Sequence, residues 1–366
     1  MTSELFAIIL LISGIVLILM EMLWLYILSQ HQEEYLSKRN NEVNTANALL
    51  DAVLGSPSPQ ARESEMQKLE ATASQSNDML LCMVAAFTRY GKNRDKLSDE
   101  RKRVLDEALV RFDPVPKLIE ALDHENKYTQ AYICRCLGDL KAEEAIPILR
   151  ERLKSKNQTL RYNAGMALSA IGDEDGVLQF LMLCENEKDY SARIFYELVG
   201  DYTGDKVSLI RKYFDNEPDE NSPYRNPDLY DQMRVTLIYA VRNDCLTELK
   251  DIYIDGFLGR QKQLRLACVK AMAAIGTKDL KKYLIIATRD NDWLIRLAAL
   301  PGLEKIGDDE SLETLAKITT DEQWWVRRRA AEALVRADVK MIYVEKIIQE
   351  YDRFAADAVK EVLYKM

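Results

Sequence analysis

Apolar positions along the chain follow two patterns. Over residues 5–28 they are continuous, LFAIILLISGIVLILMEMLWLYIL, with Glu21 as the single charge. About 20 apolar residues carry a helix across the hydrocarbon core of a bilayer, so this run predicts one membrane-spanning helix. Residues 1–4, MTSE, hold no Lys or Arg, and no small-residue cleavage site follows the run, which separates it from a secretory leader. Lys38 and Arg39 come soon after it, and Trp24 and Tyr26 sit at the same end, where aromatic rings favour the headgroup layer. The expected orientation puts the N-terminus outside and the rest on the cytoplasmic side of the inner (plasma) membrane. Glu21 reads in two ways: a boundary side chain that snorkels to water, or a carboxylate paired with the transmembrane helix of a partner.

Farther along, the apolar positions become periodic. Seven segments align in one column: 130–141 QAYICRCLGDLK, 161–172 RYNAGMALSAIG, 192–203 ARIFYELVGDYT, 234–245 RVTLIYAVRNDC, 265–276 RLACVKAMAAIG, 296–307 RLAALPGLEKIG and 327–338 RRRAAEALVRAD. Their starts lie 31 residues apart except for one step of 42, which contains an 11-residue insertion. Five of the seven begin with Arg. Positions 4 and 7 are mostly small (Ala164 and Ala167, Cys268 and Ala271, Ala299 and Gly302, Ala330 and Ala333), and positions 8 and 11 are mostly apolar (Leu168 and Ile171, Met272 and Ile275, Leu303 and Ile306). That spacing is one face of a helix, and its small residues let a neighbouring backbone come close. A second helical stretch precedes each segment, as at 278–288 and 309–319, so the unit is an antiparallel helix pair. Gly172, Gly276 and Gly307 read as helix stops.

The column [VIL]-R-x-x-A-x-x-A-L-x-x-I-G stands here as QTLRYNAGMALSAIGD, QLRLACVKAMAAIGT, LIRLAALPGLEKIGD and WVRRRAAEALVRAD. In these residues the chain resembles the HEAT-repeat family, particularly its short bacterial, PBS-lyase-like form, over roughly residues 115–366. The expected fold is all-α: an anchor over 1–30, a helical juxtamembrane region over 31–114, and an α-α superhelical solenoid over 115–366. Within 31–114, helices are expected at 42–54, 61–73, 79–90 and 98–112, separated by GSPSPQ, SQSND and GKNRDK. The Pro- and acid-rich stretch at about 216–231, NEPDENSPYRNPDLYD, is expected to be an inserted surface loop. The resemblance further implies a scaffold, because anchored bacterial proteins of this type look like accessory subunits of envelope assemblies, including glycosyltransferases that make surface polysaccharide. Its alternative is a helical-repeat enzyme of the lyase or DNA-glycosylase type.

Composition narrows the chemistry. A formal net charge of −9 opposes approach to nucleic-acid phosphates, so no nucleic-acid partner is expected. Two histidines, His31 and His124, leave no room for a nucleophile–His–acid set. Cys134 and Cys136 lie about 200° apart on a helix and cannot clamp one ion, and Cys136 and Cys268 fall in small packing positions. GDYTGDKVS, from Gly200, has the wrong spacing for a phosphate loop. No catalytic residue, metal, cofactor or small-molecule substrate is therefore expected. The repeated Arg161, Arg234, Arg265, Arg296 and Arg327 are assigned a structural role, bridging carboxylates such as Asp290, Asp292 and Asp321 or free carbonyls at the helix–helix turn.

Protein binding is the expected activity, and two surfaces offer themselves. Tyr162, Met166, Val235, Tyr239, Leu266 and Leu297 line up on the second helices as an apolar strip, suited to an amphipathic partner helix unless neighbouring repeats pack over it. Trp293 and Trp324 occupy equivalent places three residues before the Arg position and are expected to stack along one edge. With Trp325, Arg327, Arg328 and Arg329 they form an aromatic and basic patch that reads in three ways: packing of the turns, an anchor for a protein interface, or a stacking platform for nucleic acid, which the net negative charge opposes.

Overall fold

The computed structural model describes the backbone of residues 2–184, 191–216, 227–350 and 352–365, with side chains from Met20 onward except at 23, 25–28, 31–32, 227 and 350. The described residues are helical throughout and contain no strand. In order the helices are α1 (Thr2–Gly55), α2 (Pro59–Ala73), α3 (Asn77–Lys92), α4 (Asp99–Phe112), α5 (Val115–His124), α6 (Lys127–Asp139), α7 (Ile146–Arg152), α8 (Gln158–Ile171), α9 (Glu174–Cys184) and α10 (Ala192–Asp201). They continue as α11 (Lys206–Asp215), α12 (Pro227–Val241), α13 (Lys250–Leu258), α14 (Lys262–Ile275), α15 (Lys281–Ala287), α16 (Trp293–Ile306), α17 (Asp309–Ile318), α18 (Trp324–Ala337), α19 (Ile342–Glu350) and α20 (Arg353–Lys365). Two compact units result: residues 1–148 with 157–163, and residues 149–156 with 164–366.

In the first unit α1 runs unbroken for 54 residues. Its last turns bury Ala46, Leu50 and Val53, and they pack on α3, α2 and α4. Ser58, Ser76 and Ser98 each end a loop and accept a backbone N–H of the following helix, which is why α2, α3 and α4 start where they do. Phe87 and Phe112 stack at 5.4 Å in the core. Among the described residues no helix is long and apolar enough to cross a membrane. Of the apolar run, only Met20, Glu21, Met22 and Trp24 have described side chains, and all four are exposed. Tyr26 and most of the expected anchor lie outside the described side chains.

The second unit is a solenoid-like stack of helix pairs. Second helices lie side by side in the order α12, α14, α16, α18, α20, each against the next, while α13, α15, α17 and α19 pack along them as first helices. The small positions work as their spacing predicts: Ala164, Ala167, Cys268, Ala271, Ala299, Ala330 and Ala333 are all buried. At Gly302 a Cβ would lie 2.8 Å from the Ala273 Cα on the neighbouring helix, so that crossing requires glycine. Position 12 of the aligned segments is a left-handed stop in five of them, with Gly172, Gly276 and Gly307 joined by Lys141 and Cys245, which adopt positive φ without being glycine.

The inserted stretch departs from its expected form. Residues 217–226 lie outside the described residues, but 227–231 are not loop: Pro227 opens α12, and Tyr230 is buried. Pro suits the first helical turn, where its missing N–H costs nothing. Tyr230 stacks on Tyr213 at 5.5 Å and donates to the Phe214 carbonyl at 3.0 Å, which ties the start of α12 to α11.

Candidate protein-docking face

The repeated arginines form a ladder inside the second unit. Arg296 donates through Nη1 to the Asp290 carbonyl (2.9 Å) in its own turn, and through Nε and Nη2 to both carboxylate oxygens of Asp321 (2.7 and 2.9 Å) one repeat on. Arg265 repeats the arrangement with the Phe257 carbonyl (3.2 Å) and the Asp290 carboxylate. Arg327 continues it with the Asp321 and Glu322 carbonyls. Each guanidinium thus satisfies carbonyls left open at a turn, and those of Arg265 and Arg296 also link two repeats, as the fixed fork of Arg donors permits. In the first unit Gln130 does the carbonyl half of the task, donating to Leu122 at 2.6 Å across the same eight residues that separate Arg265 from Phe257. The Arg265, Arg296 and Gln130 side chains are thus engaged in structure, while Arg327 also reaches the surface.

The candidate docking residues lie on the opposite side of the second helices. With 3.6 residues per turn, positions 2 and 6 of each segment and the two residues that open each helix point away from the buried positions. On α12 these include Val235 and Tyr239, on α14 Leu266 and Lys270, on α16 Trp293, Leu294, Leu297 and Pro301, and on α18 Trp324, Trp325, Arg328 and Glu332. The two surfaces expected from the sequence are therefore, within this unit, one face. Tyr239 and Lys270 link α12 to α14, with the ammonium 5.2 Å from the ring centroid. Arg328 lies 5.2 Å over Trp324 and holds Glu332 at 3.2 Å.

Exposure along the face is uneven. Leu266 is buried, and Val235, Tyr239, Leu297, Trp293 and Met166 are half-buried, as is Tyr162 in the first unit. The strip is thus largely covered by repeat packing. Trp324 and Trp325 are 44% and 61% exposed, and they meet edge to face at 4.6 Å. Trp324 pairs with Trp325 and not with Trp293, which among the described residues makes no ring contact. Adjacent residues on one helix reach each other here because both sit in its first turn, where no preceding turn confines them.

One component escaped the sequence reading. Phe354, in the first turn of α20, is 67% exposed, and the Arg327 guanidinium lies 5.8 Å from its ring. The burial pattern of α20 repeats that of α18 after 29 residues, not 31, so Phe354 takes the place of Trp325 and Glu361 that of Glu332. Arg328 reaches Glu361 at 3.9 Å. The signal was present, but a fixed period of 31 sets α20 out of phase. The result is an exposed aromatic row, Trp324, Trp325 and Phe354, with Arg327 and Arg328 between them.

The remaining candidates resolve simply. Cys134, Cys136 and Cys268 are buried, and burial pushes the Cys136 and Cys268 thiols up to about 12. Asp205 in GDYTGDKVS accepts the Val207 and Ser208 N–H groups and caps α11, so that sequence is a helix start. Among the described residues no group of three or more His, Cys, Asp or Glu side chains is placed to hold a metal ion.

The family model for HEAT repeats matches residues 115–194 and 257–335, on either side of the insertion. No curated protein matches the chain. Among solved structures, an engineered protein aligns over 87% of this chain and 98% of its own, with 14% identity and a TM-score of 0.34. A chain of the complex of Kap95p with RanGDP aligns over 86% of this chain and 53% of its own, at 10% identity and a TM-score of 0.40. Human deoxyhypusine hydroxylase, solved with glycerol, aligns over 81% and 96%, at 16% identity and a TM-score of 0.29. The activities and partners of these proteins do not transfer at such scores, whereas the ranges matched by the family model contain Arg265, Arg296 and Arg327 of the ladder.

Proposed function

We propose that this chain is a non-catalytic docking scaffold, tethered to the inner membrane through residues 5–28, that captures a membrane protein complex on its second-helix face. The observation that carries the docking half is the exposed row Trp324, Trp325 and Phe354. Large aromatic side chains left in water forgo about 1.5–3 kcal/mol each of burial, and such groups beside Arg are what protein interfaces recruit as anchors. Protein–protein interaction is also the general use of HEAT repeats. The tether rests on the unbroken apolar sequence and its charge asymmetry. Confinement to a membrane raises the effective concentration toward other membrane proteins, which favours a partner there. An accessory role in an envelope polysaccharide assembly is one form of this reading.

Crosslinking in intact membranes, followed by identification of joined chains, tests it. Trp324→Ala with Trp325→Ala is expected to reduce capture at least tenfold while leaving the helical circular dichroism unchanged. Capture that persists in the folded double variant removes this face from the proposal. Lys at positions 11 and 17, in place of Leu11 and Leu17, is expected to release the chain from the membrane fraction; retention there overturns the tether.

A further inference from the structure

The second-helix face carries one basic cluster that its own carboxylates do not neutralise. Arg193, Arg265, Arg296, Arg328 and Arg329 each reach an acidic side chain from a second helix. Lys270 and the Arg242 guanidinium, in the short turn Arg242–Asp244 after α12, do not: among the described residues neither pairs with a carboxylate. Both instead flank the Tyr239 ring, Lys270 at 5.2 Å and Arg242 at 6.0 Å from its centroid, and Lys270 donates to the Tyr239 hydroxyl at 3.4 Å. Tyr196 on α10 lies within electrostatic reach of Tyr239 and Arg242. Its phenol is pushed up first by burial and then by Tyr239, with Arg242 opposing, and 41% of the residue is exposed. Two cations thus converge on the Tyr239 ring without pairing with a carboxylate among the described residues, in a chain of net charge −9.

We infer that the partner segment docked on this face is acidic, with one or more carboxylates seated on the Tyr239, Arg242 and Lys270 cluster and a large apolar side chain against Trp324 and Trp325. This rests on the docking reading above and adds the chemistry of what docks. Charge complementarity is the argument: unpaired cations beside aromatic rings recognise an anion, and like charge excludes basic competitors. Geometry fixes the length. Neighbouring helix axes lie about 8–10 Å apart, so the cluster and the Trp pair are separated by about 25 Å. About 17 residues of helix, or about 8 of extended chain, span that distance.

The probe is a synthetic 18-residue helix-forming peptide with three Glu in its first two turns and Leu and Phe in its last, beside a twin bearing Lys for Glu. Titrated against the full chain in detergent at low salt, the acidic peptide is expected to bind at least tenfold tighter than its twin. The preference shrinks as salt rises. Lys270→Glu with Arg242→Glu is expected to invert it, and Lys270→Gln with Arg242→Gln to abolish it. Equal binding of the twins, no binding of the acidic peptide, or a preference untouched by the folded Glu variant each overturns the assignment. So does displacement of the peptide by millimolar inorganic phosphate, which makes the cluster a phosphate site. Twin-independent binding that still requires Trp324 and Trp325 refutes the acidic segment alone; peptide binding indifferent to those two residues refutes the docking reading beneath it.

Discussion

Arg296 and Arg234 stand at the same position of their repeats and are held in different ways. Arg296 is almost wholly buried and finds Asp321 twenty-five residues on, bidentate, with turn carbonyls beneath it. Twenty-five residues after Arg234 stands Gly259, and no carboxylate is available there. Arg234 turns instead to Asp231 at 3.3 Å and to the rings of Phe214 (4.9 Å) and Tyr230 (5.4 Å), leaving its Nε buried without a partner. An arginine position in a repeat is thus defined by what the next repeat offers. From α14 to α18 the ladder is continuous; at α12, beside the insertion, it is improvised from aromatic rings. The family model falls silent over the same stretch, between residues 194 and 257.

This contrast can be broken most severely at its well-made end. Arg296→Met strands the buried Asp321 carboxylate and is expected to cost about 3–5 kcal/mol, read by urea or thermal unfolding of the chain. The same change at Arg234 removes a half-exposed pair and two ring contacts, and about 1 kcal/mol is expected. Equal losses at the two sites would show that the ladder adds nothing.

A second difference is acid sensitivity. Asp308 caps α17 through Ser311 and accepts Lys281 from the preceding repeat at 2.8 Å. Burial works against its charge, but the bonds from Lys281 and Ser311 outweigh it and hold the carboxyl at about 2. Since the unfolded group titrates near about 3.9, its stabilisation is complete above that pH and is lost as pH falls toward about 2. Asp308→Asn is therefore expected to lower stability by about 1 kcal/mol at neutral pH and to narrow the gap from the parent below pH about 3. A constant gap across that window would assign the loss to capping geometry alone.

The smallest effect is constructive. Gly259 lies 31 residues before Asp290 with φ −68°, a conformation open to any residue. Gly259→Asp is expected to give Arg234 the missing rung and raise stability by about 0.5 kcal/mol, with the gain vanishing when Arg234 is also Met. A gain that survives the second change would come from the loss of a flexible glycine instead.

Much of this architecture is legible from residues. The spacing of Ala164, Ala167, Cys268, Ala271, Ala299 and Gly302 specifies a close-packed seam because a helix has a fixed 3.6-residue period. The structural role of the arginines follows from the acidic turns beside them. Two things were hidden. The Asp engaged by Arg265 and by Arg296 belongs to the following repeat, since the fork reaches across a helix–helix contact that local sequence does not encode. The exposure of the candidate docking face was hidden too. A periodic column gives azimuth on one helix, and only packing shows that Leu266 becomes buried and Val235 and Leu297 half-covered by neighbours while Trp324 and Trp325 stay in water.

Helical periodicity, small-residue positions and capping serines are properties of consecutive residues, so the chain by itself determined that it folds as paired helices and where most of them start and stop. Exposure, ion-pair partner and the joining of Phe354 to the Trp pair depend on which helices become neighbours and at what offset. Those were decided by tertiary packing, because a shift of two residues in α20, invisible to a period of 31, is set by which side chains fit the groove of α18.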